Sequence, residues 1–302
     1  MLRLFFMCLV SLVFSTAARA DVDDFEIPRL VIITGYEDNA MEPFLSRDGQ
    51  WLFFNSRDEP GDETDLHHAY RLHDNEFEYR GKLENVNTPD VETVPSMDRH
   101  GNFYFVSPRN YESSRNTLWQ GRLSGGEITR IRELAGDVSR YNPLWLNTDA
   151  EVSADGRRLY VVENEWSLFG GGMKSSNLFV ARKGLGGDFY RTQQMDEIFD
   201  AINTIDLEYG PALSDDELTL YFTRVSPEDA REGDATGFGI WMATRPAISE
   251  PFSSPVRIQA IEGYVESPTV ADGGCAIYFH QKVRGVFRIM RAEASDCRQR
   301  QR

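Results

Sequence analysis

Five segments of this chain share one order of polar and apolar positions: 42–54 (EPFLSRDGQWLFF), 94–106 (VPSMDRHGNFYFV), 149–162 (DAEVSADGRRLYVV), 210–222 (GPALSDDELTLYF) and 267–279 (SPTVADGGCAIYF). Each opens on a short strand-like stretch and crosses a polar turn (SRDG, DRHG, SADG, SDDE or ADGG). Each then enters a run of aromatic and β-branched residues. Short runs rich in such residues, bounded by Asp- and Gly-containing turns, read as paired strands. Asp supplies local side-chain hydrogen bonds and Gly tolerates positive φ, so the turns are hairpins. Pro43, Pro95, Pro211 and Pro268 occupy one place in four copies, and Ala150 holds it in the third. Successive copies therefore lie 52, 55, 61 and 57 residues apart.

A third apolar strand follows each copy, at 66–70, 117–121, 177–181, 238–243 and 285–290. A weaker fourth precedes the next copy, as at 77–83 and 127–134. Four short strands per unit, with no stretch of helical period between them, make one propeller blade. The pattern predicts an all-β fold, a five-bladed β-propeller of four-stranded antiparallel blades occupying 21–302 as one domain. The fifth copy runs out after its third strand, and the missing fourth stands at the other end as 28–34 (PRLVIIT). Pairing it with 285–290 would close the ring and cover an open edge.

The sentence E-P-x-L-S-x-D-G-x-x-L-x-F at 42–54, with Ser56-Arg57 after it, resembles the WD-like propeller repeat of TolB and its relatives. The resemblance runs from about Met41 to the C-terminus. It implies a propeller and, by analogy, a partner in the cell envelope. No counterpart of the α/β domain that precedes the propeller in TolB is expected here. The turn Ser46-Arg47-Asp48-Gly49 differs from the sialidase Asp-box, which spaces Asp and Gly apart.

Residues 1–20 read as a secretory signal: Arg3, an apolar run over 4–14, then Ala18-Arg19-Ala20 as the cleavage site. The expected location is periplasmic or secreted, with no membrane span after signal removal. Removal takes two Arg and no acid, moving the formal charge from −16 to −18. Such a charge disfavours nucleic acids and anionic lipid surfaces as partners. A protein, or a small polar or glycan ligand of the envelope, is expected instead. Cys275 and Cys297 remain after processing, and an even count in an exported protein suggests a disulfide. The competing reading is two buried thiols.

In a blade, loops entering the first strand share a face with loops leaving the second. These loops are the long, idiosyncratic ones, so function is expected there. Acids precede the first strand (Glu42, Glu92, Asp149, Glu208, Glu266) and bases follow the second (Arg57, Arg109, Arg224, Lys282). They would form an acidic ring at the channel mouth with bases beyond it. The competing reading is a set of inter-blade ion pairs. The loop 163–176 (ENEWSLFGGGMKSS) adds Trp166 and Phe169 as candidate ligand contacts. No cofactor is implied. The acid-rich loop 57–65 has oxygen ligands suited to calcium but lacks EF-hand spacing, and no zinc pattern is present. The leading expectation is a non-catalytic binding or scaffolding module. The alternative is a glycan-active enzyme. Five-bladed hydrolases of the arabinanase and invertase type place three carboxylates at the channel mouth, and Glu42, Glu92 and Glu208 could supply them. The sequence does not carry those enzymes' motifs, so that overlap is of architecture only.

Overall fold

The computed structural model describes residues 25–297 except 59, 60, 62, 169–171 and 296. The proposed signal segment and Phe169 lie outside the described residues. The fold is a β-propeller, and each copy of the repeat supplies the first hairpin of an antiparallel meander. The first meander is Met41–Leu45, Trp51–Asn55, Leu66–His73 and Glu76–Lys82. The second is Thr93–Met97, Asn102–Val106, Leu118–Ser124 and Glu127–Glu133. The third is Trp145–Val152, Arg158–Trp166, Met173–Lys183 and Phe189–Arg191. The fourth is Leu207–Leu213, Thr219–Val225, Gly239–Thr244 and Val256–Arg257. The fifth is Val265–Ala271, Ala276–Val283 and Val286–Glu293, completed by Arg29–Leu30 from the other end of the protein.

The apolar core is divided among the seams between meanders. Phe44, Phe53, Phe103 and Phe105 fill the seam between the first and second, and Tyr104, Val152, Val161 and Phe179 the next. Tyr160, Val180, Leu213 and Phe222 join the third to the fourth, and Ile240, Met242, Ile277 and Phe279 the fourth to the fifth. Leu52, Phe54, Ala276 and Tyr278 bring the fifth back onto the first. Every meander therefore packs apolar side chains on both of its faces, which explains the dense apolar runs.

Ring closure occurs as the sequence predicts, with an addition. Arg29 and Leu30 pair antiparallel with Arg291 and Met290. The strand then crosses the seam, and Ile32–Thr34 pairs parallel with Glu76–Glu78 of the first meander. Alternation drives the crossing: Val31 and Ile33 are buried in the shared core while Leu30 and Ile32 face outward. The strap thus stitches the last meander to the first.

The innermost strands carry a second stitch. In four of them the register slips across the repeat's Pro and the residue before it, and in the third it slips at Thr148, just ahead of Asp149 and Ala150. Pro has no N–H to give a ladder, and a bulge tolerates it. The residue before each Pro is left-handed: Glu42 at φ 48, Val94 at 51, Gly210 at 59 and Ser267 at 50. At Gly210 only hydrogen fits, since a Cβ would lie 2.9 Å from the Cα of Ser267. Each bulge N–H points to the preceding meander. Val94 N donates to Glu42 Oε2 at 3.2 Å, Ser267 N to Thr223 Oγ1 at 2.9 Å, and Glu42 N to His280 Nδ1 at 3.0 Å. Gly210 N–H likewise serves the Asp149 carboxylate.

Cys275 and Cys297 form the expected disulfide, with Cα atoms 5.6 Å apart. It ties the C-terminal segment to the hairpin of the fifth meander. Closing 22 residues corresponds to about 3 kcal/mol in the chain-entropy picture. Thermal unfolding should therefore fall by several degrees in reductant or in Cys297→Ala. An unchanged midpoint would contradict a stabilising role.

Candidate functional site at the channel mouth

The starts of the innermost strands and the ends of the second strands meet on one face, around a cavity of about 390 Å³. Every meander contributes to its lining: Glu42 and Asp58, Thr93 and Val106, Asp149 and Asn164, Tyr209 and Val225, Tyr264 and Glu266. Deeper along the axis the space shrinks to about 20 Å³, lined by Pro43, Pro95, Pro211, Pro268 and Ala150. The repeat's prolines therefore floor the cavity. The D-G turns lie on the opposite face. There Arg47 reaches from the first meander to Glu151 of the third at 2.5 Å.

Four carboxylates line the cavity: Glu42 and Asp58 from the first meander, Asp149 from the third and Glu266 from the fifth. Glu42 holds its proton far more tightly than an ordinary Glu. Burial is the main cause, and the charges of Asp58, Asp149 and Glu266 add to it. Asp149 is 5% exposed. It is pushed up to about 6 by burial, against hydrogen bonds from Thr148 and the Gly210 N–H. Glu266 accepts the Tyr209 hydroxyl at 2.5 Å and faces His280 Nε2 at 2.9 Å. Because His280 Nδ1 accepts the Glu42 N–H, a neutral His280 carries its proton on Nε2 and donates it to Glu266. The same histidine closes the ring and positions a site carboxylate.

Two of the predicted acids go elsewhere. Glu92 and Glu208 are fully buried and do not line the cavity. Glu92 accepts the Thr88 N–H and hydroxyl, each at 2.7 Å, and the Ser107 hydroxyl at 2.9 Å, and pairs with Arg109 at 3.2 Å. Glu208 accepts the Thr204 hydroxyl at 2.6 Å and pairs with Arg224 at 2.9 Å. Strand alternation is the reason. Thr93 and Tyr209, one residue on, face the cavity, so their neighbours turn away.

The bases follow those acids. Arg109 and Arg224 are spent on Glu92 and Glu208 and on the carbonyls of Val86 and Ile202. Their guanidinium groups stack on Trp119 and Trp241 at 4.6 and 4.7 Å. Arg57 is exposed and outside the lining. Lys282 is exposed and packs over Phe287 at 5.0 Å and Tyr264 at 5.7 Å. Trp166 does not line the cavity. It ends the second strand of the third meander, paired with Met173, so the predicted loop is largely an extended hairpin. Among the described residues, no three His, Cys, Asp or Glu stand close enough to share a metal ion.

The sequence held signals that position-by-position reading missed. Asn87-Thr88-Pro89-Asp90-Val91-Glu92 and Asn203-Thr204-Ile205-Asp206-Leu207-Glu208 are two copies of one latch. Asn87 brackets the backbone of Leu66, and Asn203 that of Leu178. Tyr209 and His280 carried no such signal, because their roles depend on neighbours in other meanders, and Asn164 carried none because its partner Thr148 lies on the facing strand.

No protein-family model and no curated protein matches this sequence. Solved structures do match in shape. A thermostable family-43 glycoside hydrolase superposes with a TM-score of 0.52 at 11% identity, covering 86% of this protein and 90% of that one. A native arabinanase of Bacillus subtilis gives 0.53 at 9% identity over 84% and 94%. TolB of Acinetobacter baumannii gives 0.40 at 14% identity over 78% and 46%. The two glycoside-hydrolase likenesses support the propeller, and no TolB type is singled out within it.

Proposed function

We propose that this protein is an exported five-bladed propeller that captures a small ligand at the mouth of its channel. Each meander is read as a blade. The observation that carries the reading is the convergence of Glu42, Asp149 and Glu266, from three different meanders, on one cavity. Its volume of about 390 Å³ falls within the range of small-molecule sites. Two of these carboxylates are held at raised proton affinity by burial and mutual repulsion, a strain that a bound ligand would relieve. Export accounts for the signal-like 1–20 and the disulfide. No helix among the described residues is long and apolar enough to cross a membrane. Calcium in the loop 57–65 is a separate, untested expectation.

A second reading, glycan hydrolysis, draws on the same groups. A carboxyl that keeps its proton beside a second carboxyl is an arrangement that glycosidases use. Glu42 would be the acid, and Glu266, oriented by Tyr209 and His280, the base. The test is a glycan and peptidoglycan-fragment array on the mature protein with a reducing-sugar assay alongside. Retention without release of reducing ends is expected. Release that disappears in Glu42→Gln would move the assignment to hydrolysis.

A further inference from the structure

The cavity lining carries charge of one sign. Glu42, Asp58, Asp149 and Glu266 line it, and among the described residues no Lys, Arg or His does. Arg109 and Arg224, on the same face, are committed to Glu92 and Glu208 and are not available to Glu42 or Asp149.

A second observation points to what the cavity accepts. Asn164 is 1% exposed and lines the cavity. Its Nδ2 donates to Thr148 Oγ1 at 2.6 Å, and Thr148 passes its own proton to Asp149 Oδ2 at 2.8 Å. With the hydroxyl proton committed to the carboxylate, Asn164 must present Nδ2 to Thr148. Its Oδ1 is left buried without a partner. A buried acceptor without a donor is unfavourable, and a ligand N–H or O–H would satisfy it. The lining thus offers several acceptors and few donors, which matches a donor-rich cation.

The spacing argues for an extended molecule over a compact ion. Glu42, Asp149 and Glu266 come from separate meanders, and no three of the described ligand groups could share one metal. Part of the wall is apolar: Phe238 and Tyr264 stack with centroids 4.0 Å apart, and Met173, Leu207 and Val225 continue the surface. Ammonium groups would meet the carboxylates and Asn164 Oδ1, and a methylene chain would lie on the wall, with the ring faces favouring cations.

Resting on the ligand-capture reading, we infer that the channel mouth binds a small organic polycation of the aliphatic diamine or polyamine class. The net charge of −16 would speed its encounter. The test is calorimetric titration of spermidine and 1,4-diaminobutane into the full-length protein at pH 8 and moderate salt. Neutral 1,4-butanediol, tetramethylammonium and calcium chloride serve as comparison probes. Glu250→Gln is the control for general surface charge, being exposed and outside the lining.

One-to-one binding of spermidine is expected. Glu42→Gln and Asp149→Asn should each weaken it about tenfold or more, Glu250→Gln should leave it unchanged, and butanediol should not bind. Equal binding of butanediol, preference for tetramethylammonium or calcium, equal weakening by Glu250→Gln, or no binding of either amine would each overturn the inference. The two failures are separable. If an array ligand is lost in Glu42→Gln while the amines do not bind, only the polycation class falls. If no ligand responds to Glu42 or Asp149, the site reading falls with it.

Discussion

Glu208→Gln should lower the melting temperature by roughly 6–12 °C, corresponding to about 3 kcal/mol. Glu208 is fully buried and Arg224 beside it is nearly so. Burial pushes the carboxyl up, and hydrogen bonds from Thr204 and the Arg224 charge offset only part of that rise. Glutamine keeps one acceptor for Thr204 and removes the charge that Arg224 requires. Arg224 would then sit between Trp241, Phe222 and the Ile202 carbonyl with its charge uncompensated. Removing one partner of a buried pair is far more damaging than replacing both. The double change Glu208→Gln/Arg224→Met should therefore recover much of the loss. Thermal denaturation followed by circular dichroism decides it, and a midpoint within about 1 °C of the parent would refute the pairing.

Asp149→Asn should do the opposite above neutral pH. The folded protein holds Asp149 protonated up to about 6, whereas an ordinary Asp ionises near 3.8. Below the ordinary value both states are protonated, and Asp149 makes no difference. Between 3.8 and about 6 the unfolded state releases its proton first, so stability falls as pH rises. Above about 6 the loss is complete, at about 3 kcal/mol. Asparagine removes the ionisation and keeps an acceptor for the Gly210 N–H or Thr148. The expected result is a gain of several degrees at pH 7.5 that shrinks towards zero at pH 4. A loss at pH 7.5 would mean that the charge of Asp149 supports the fold.

The repeat, the four strands per unit and the shared face of first-strand starts and second-strand ends were legible because period-two patterning and D-G turns are local. The division among the acids was not. Glu92 and Glu208 stand three places before the repeat's Pro, Glu266 two, and Glu42 one, as Asp149 does before Ala150. On an unbroken strand, one place moves a side chain to the other face. Here a bulge also resets the alternation, at Glu42 and Pro43 in the first meander and at Thr148 in the third, so Glu42 and Asp149 reach the cavity from a position that simple counting would turn away. Ring closure was legible from the missing strand. The crossing at Val31 was not, because it depends on an apolar seam shared by two distant segments.

The measurement that tests the account most directly is a paired melt of Glu42→Gln and Glu92→Gln at pH 7.5. Both acids stand at the start of an innermost strand and would be equivalent in a purely structural ring. Glu42 is destabilised by burial and by three neighbouring carboxylates, and glutamine keeps an acceptor for the Val94 N–H. Glu92 is the buried partner of Arg109. The account predicts an unchanged or higher midpoint for Glu42→Gln and a clear drop for Glu92→Gln. A comparable drop in both would contradict it, placing the carboxylates of the channel mouth in the scaffold.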